Sequence, residues 1–113
     1  MIHHVADLAG CHNPDPESDE LLAAMRHVAT QLGCTVRDEL AVPFQPHGAT
    51  CVVVLAESHL TVSTWPEHGL AHLDLVTCRA DTSPTTALEP LRALLMPQTV
   101  HREHITRTSP LAI

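Results

Sequence analysis

Lysine is absent from this chain of 113 residues: all six basic side chains are arginine, at positions 26, 37, 79, 92, 102 and 107. A phosphate-cradling P-loop needs its lysine on the terminal phosphates, and pyridoxal phosphate is carried on a lysine amine, so both are excluded. Any carbonyl chemistry on amines must come from a group that is not a lysine. Positive charge is scarce altogether. Six basic residues against thirteen acidic ones leave a net charge of -7, with no basic stripe to collect phosphates, and no nucleic-acid partner is expected. No C-x-x-C pair occurs. Cys11, Cys34, Cys51 and Cys78 lie 23, 17 and 27 residues apart, which is not the spacing of a structural zinc site. No apolar stretch approaches the length of a bilayer, and no charged segment leads into an apolar run. The expectation is a cytoplasmic protein with reduced thiols and no membrane partner.

What is present suits one compact domain over residues 1–113 with a single modest core, at 44% apolar and 17% charged residues. Ile2 to Gly10 reads as a strand. Asp15 before Pro16 reads as a helix cap with proline in the first turn, and Leu21, Met25, Val28, Ala29 and Leu32 recur at helical spacing up to Gly33. Cys34 to Val42 is β-leaning but interrupted by charge, as an edge strand would be. After a loop marked by Pro43, Pro46 and Gly48, Thr50 to Ala56 is the most apolar run and reads as a buried central strand. A tight reversal at Glu57-Ser58 leads to a second strand, His59 to Trp65. A turn at Pro66–Gly69 leads to a third, Leu70 to Cys78, with Ala71, Leu73 and Leu75 on one face. Ser83-Pro84 opens a second helix with Leu88, Leu91, Leu94 and Leu95 inward. Pro90 within it predicts a kink, and Pro97 ends it. Gln98 to Thr106 reads as a last strand, and Thr108 to Ile113 as a loose tail.

The predicted class is therefore α+β, an antiparallel sheet with two helices on one face. The other face needs a partner. A homodimer packing sheet against sheet, an αββα sandwich, is the economical answer in so short a chain.

Glu57-Ser58-His59 sits where the most apolar strand reverses. Strand parity, carried through without a bulge, puts Thr50, Val52, Val54, Ala56 and Ser58 on one face. Asp74, Val76 and Cys78 share a face on the later strand, and His72 has the same parity. A serine, a threonine and a thiol then converge on one pocket.

The segments HHVADLAGC, PFQPHGAT, VVVLAESHLTVSTWPEHG and LAHLDLVTC resemble the short prokaryotic S-adenosylmethionine decarboxylase proenzymes, a pyruvoyl-dependent family made by self-cleavage. The resemblance covers most of the chain and is densest at A-E-S-H followed by T-W-P-E. It implies that Ser58 attacks the Glu57 carbonyl, that the resulting ester eliminates, and that residues 1–57 and 58–113 separate. The new amino terminus becomes a pyruvoyl group, the cofactor derived from Ser58. Its ketone would condense with the substrate amine and accept the electrons released with carbon dioxide, a chemistry with which the absence of lysine is compatible. Thr50 matches the hydroxyl that assists processing, and Cys78 the acid that protonates the substrate carbon. Phe44 matches the aromatic that stacks on adenine, and Glu67 the carboxylate on the ribose. The implied active species is a homodimer of cleaved protomers working on a small cationic molecule in polyamine and spermidine synthesis.

One position departs. The family reads T-I-H-T-W-P-E where this chain has Thr61-Val62-Ser63-Thr64-Trp65-Pro66-Glu67, so Ser63 replaces the histidine that serves as base in the cleavage. His59 and His72 are the imidazoles that remain to take over. Two other expectations stand beside the leading one: a pyruvoyl decarboxylase of ornithine or arginine, and an uncleaved homologue that binds a ligand or partner without catalysis. The His3-His4, His68/His72 and His101/His104 pairs fall on strands and turns rather than on a helix, so no metal site is expected.

Overall fold

The computed structural model describes residues 1–78 and 83–108. Its strands are β1 (Ile2–Ala9), β2 (Thr35–Pro43), β3 (Ala49–Ala56), β4 (Ser58–Trp65), β5 (Leu70–Thr77) and β6 (Thr99–Thr106). They form one six-stranded sheet in the order β2-β3-β4-β5-β1-β6, with every neighbouring pair antiparallel. The expected meander is β3-β4-β5. Cys34 to Val42 is indeed an edge strand, and β1 closes the far side by pairing with both β5 and β6.

Helices α1 (Ser18–Leu32), α2 (Pro84–Ala87) and α3 (Glu89–Leu95) all lie on one face. Alternation along the strands decides what they cover. Cys51, Val53, Leu55, Leu60, Val62, Ala71, Leu73 and Leu75 point at the helices and are buried, and Leu21, Met25, Val28, Leu32, Leu91 and Leu95 meet them. The opposite face is open: Leu40, Val42, Val54 and Trp65 remain exposed on it. The apolar run Thr50 to Ala56 is indeed a strand inside the sheet, β3, buried on its helix side.

Three local expectations are corrected. The first helix starts at Ser18 with Glu17 as its cap, and the Glu17 N–H donates to Glu20 Oε1 at 3.3 Å. Asp15 does not cap because its Oδ1 accepts from the Gly48 N–H, 3.1 Å away. The second helix is broken rather than kinked. Leu88, with φ -83° and ψ -2°, separates α2 from α3, and Pro90 falls in the first turn of α3 where no N–H is needed. Finally, Leu55 pairs with Ser58, leaving Ala56 and Glu57 as the reversal. Those two residues reset the parity, so Ser58 shares the helix-side face with Leu55 and not the open face with Thr50. Of the tail expected at Thr108–Ile113, all but Thr108 lies outside the described residues.

Candidate functional site

The loop between β2 and β3 and the 3₁₀ turn at Pro66–His68 wall a pocket of about 400 Å³, lined by Phe44, His47, Thr50, Ser63, Trp65 and Glu67 among others. Its floor is a rung of the sheet. Thr50 and Ser63 face each other across β3 and β4, and their hydroxyls are 2.9 Å apart in a hydrogen bond. Thr64 turns the other way and locks the strands beneath: its Oγ1 accepts from the Ala49 N–H at 3.0 Å. The loop closes through the Phe44 N–H, which donates to the Gly48 carbonyl at 2.8 Å. Gly48 has φ +92°, and a Cβ there would stand 3.0 Å from the Thr64 carbonyl oxygen, so glycine is required for the loop to lie on the strand. Phe44 is half exposed, at the mouth rather than part of the core.

Glu67 leaves the 3₁₀ turn toward the same mouth, where its Oε2 lies 3.0 Å from His47 Nδ1. That approach lacks the alignment of a hydrogen bond, and among the described residues the imidazole nitrogen has no hydrogen-bond partner. An aromatic ring, a carboxylate and two hydroxyls thus surround one concavity of nucleoside size. Four of the residues singled out in the sequence meet here: Phe44, Thr50, Ser63 and Glu67. His47 does too; it lies within the segment PFQPHGAT but was not singled out in the sequence.

Glu57, Ser58 and Cys78 lie at the other end of the strands. His59 pairs with Val76, so in the same register Ser58 comes level with Thr77 one step past that rung, and Glu57 with Cys78 two steps past it. Ser63 lies five steps along β4 from Ser58, about 17 Å at the rise of an extended strand. The seven residues therefore form two groups on one chain rather than the single pocket that parity suggested. Of the four thiols, Cys78 is the exposed one, whereas burial pushes the thiols of Cys11 and Cys51 up.

The S-adenosylmethionine decarboxylase family model matches residues 2–108. The chain belongs to the S-adenosylmethionine decarboxylase family. Relatives bearing the name S-adenosylmethionine decarboxylase proenzyme include one from Thermosipho melanesiensis, 37% identical over 100 residues, with 88% of this chain and 77% of the relative covered. Another, from Thermomicrobium roseum, is 34% identical over 106 residues and covers 93% of this chain and 90% of its own length. The crystal structure of the adenosylmethionine decarboxylase from Aquifex aeolicus superposes with a TM-score of 0.82 at 31% identity, covering 94% of this chain and 88% of the other. The six-stranded antiparallel sheet with helices on one face is thus the architecture of the family.

Proposed function

We propose that this chain is the proenzyme of a pyruvoyl-dependent S-adenosylmethionine decarboxylase in polyamine synthesis, a lyase that cuts itself between Glu57 and Ser58. The observation that carries this reading is the pocket in which Phe44, Thr50, Ser63 and Glu67 meet. They come from separate stretches of sequence, and each belongs to a motif by which the chain resembles the family.

Ser58 suits the prosthetic group it would become. It is the first residue of β4, immediately after a two-residue reversal, and its hydroxyl has no hydrogen-bond partner among the described residues. That hydroxyl is free to add to the Glu57 carbonyl. Once formed, the pyruvoyl ketone supplies the sink for the electrons that carbon dioxide leaves behind. The chain's own residues do the rest. Phe44 stacks on the adenine and Glu67 accepts from the ribose hydroxyls, an arrangement suited to a cationic nucleoside in a protein of net charge -7. Cys78, exposed beside the cleavage point, returns a proton from Sγ to the substrate carbon.

The active species is a homodimer joined through the open faces of the two sheets, with Leu40, Val42, Val54 and Trp65 removed from water. The separation of the two groups of site residues supports it. One copy cannot bring its own pocket to its own Ser58, whereas a second copy laid across the open face can bring a pocket to that end.

Intact mass after incubation tests the reading, followed by release of labelled carbon dioxide. Fragments meeting at Glu57 and Ser58, a carbonyl trapped by borohydride, and release from S-adenosylmethionine are expected. A chain that stays at 12.3 kDa without a trappable carbonyl would overturn it, leaving an uncleaved binding protein. Release from ornithine or arginine alone would keep the chemistry and reassign the substrate.

A further inference from the structure

One rung of the sheet crosses all six strands on the open face: Val42, Thr50, Ser63, His72, Asp7 and His101 stand side by side. Directly opposed side chains on one face of antiparallel strands have Cβ atoms about 5 Å apart. His72 is therefore the immediate neighbour of Ser63, on the side away from Thr50. Its Nε2 lies 3.8 Å from Asp7 Oδ1, and its ring stands 4.6 Å from that of Trp65, which lines the pocket. A carboxylate on one side and an aromatic ring on the other hold the imidazole in place.

We infer that His72, positioned by Asp7 and Trp65, is the base of the cleavage, reaching the space that a histidine at position 63 would fill. This rests on the self-cleaving reading above, with the pocket of one copy facing the Glu57–Ser58 turn of the other. The small hydroxyl of Ser63 leaves that space open. In the ester formed between Ser58 Oγ and the Glu57 carbonyl, His72 takes the proton from Ser58 Cα. The electron pair of that bond becomes the Cα=Cβ double bond, the Cβ–O bond breaks, and Glu57 leaves as a carboxylate. Nothing external is consumed in that step.

Other imidazoles are less well placed. His59 also lies on the open face, but its rung neighbours are Val54 and Val76, and no polar group among the described residues orients it. His47 is engaged by Glu67. His3 contacts Asp74 at 3.1 Å, two residues along β5 and away from the pocket. His101 is separated from Ser63 by two strands.

The test follows the appearance of the two fragments by intact mass in the wild type, His72→Gln, His72→Ala, Asp7→Asn and His59→Gln. His72→Gln should cut about a hundredfold more slowly or worse. Added imidazole should restore His72→Ala, and Ser63→His should restore His72→Gln, recoveries that a misfolded chain would not show. Asp7→Asn, a change at an exposed position, should slow cutting severalfold while leaving the fold intact. His59→Gln should cut like the wild type. Cutting of His72→Gln at the wild-type rate, with His59→Gln stalled, would overturn the assignment of the base and leave the decarboxylase standing. A wild-type chain that never cuts would overturn both.

Discussion

Replacing Gly48 by alanine probes how the pocket is built. At φ +92° any side chain is strained, at about 1–2 kcal/mol for a backbone in the wrong half of conformational space. The new methyl would also stand 3.0 Å from the Thr64 carbonyl oxygen and 3.3 Å from Pro66 Cδ. The first of these is backbone in a paired strand and does not yield cheaply, so a further 1–3 kcal/mol or so is expected from the forced shift. Reduced freedom of the unfolded chain returns about 0.4–1 kcal/mol. The net loss is about 3 kcal/mol, which for a domain of this size lowers Tm by roughly 12 °C. Thermal unfolding by circular dichroism at fixed protein concentration measures it, since association makes Tm depend on concentration. Gly69→Ala is the control: φ is +60° but the nearest heavy atom would be 3.7 Å away, so only the conformational cost of about 1 kcal/mol applies. Gly48→Ala should also weaken binding of S-adenosylmethionine, because the Phe44 N–H bonds to the Gly48 carbonyl. A Tm loss no larger than that of Gly69→Ala would refute the packing argument.

Ser63→His beside an intact His72 should change the cutting rate by less than about tenfold, because an imidazole already serves that space; a much larger gain by intact mass would mean that none does. Cys78→Ala should still yield both fragments while carbon dioxide release falls about a hundredfold or more. In the wild type, iodoacetamide should label Cys78 ahead of Cys11 and Cys51, whose thiols burial holds protonated. Val54→Asp, on the exposed face, should shift sedimentation toward monomer and slow cutting together. His4 is held below its ordinary value of 6.5, first by burial and then by the charges of His104 and His3. The unfolded chain therefore takes that proton at a higher pH than the folded one, and stability falls as pH drops through 6.5 and below. Urea midpoints at pH 7.5 and 5.5 should diverge less in His4→Gln than in the wild type.

Chemistry was more legible than geometry. A hairpin of apolar, β-branched strands, a helix with leucines at regular spacing and the edge character of β2 all follow from patterns within a dozen residues, where local periodicity is decisive. The motifs around Glu57-Ser58 and Thr64–Glu67 named the reaction class for the same reason: they are contiguous. Even so, the parity of Ser58 went wrong by a single assumption. Two residues spent in the reversal were enough to turn its side chain to the other face.

By itself the sequence determined the absence of lysine chemistry, the antiparallel class, the apolar stripe of α1 and the identities of the candidate side chains. Tertiary structure alone decided that β1 stands between β5 and β6 in the order β2-β3-β4-β5-β1-β6, because β1 finds both its partners more than sixty residues away in the chain, and only shared burial against the helices selects them. It likewise decided that Asp15 holds the Gly48 loop instead of capping a helix, and that Asp7 and His72 stand in the rung of Thr50 and Ser63. Register between distant strands is set by which faces the whole sheet can bury, and no local pattern encodes it.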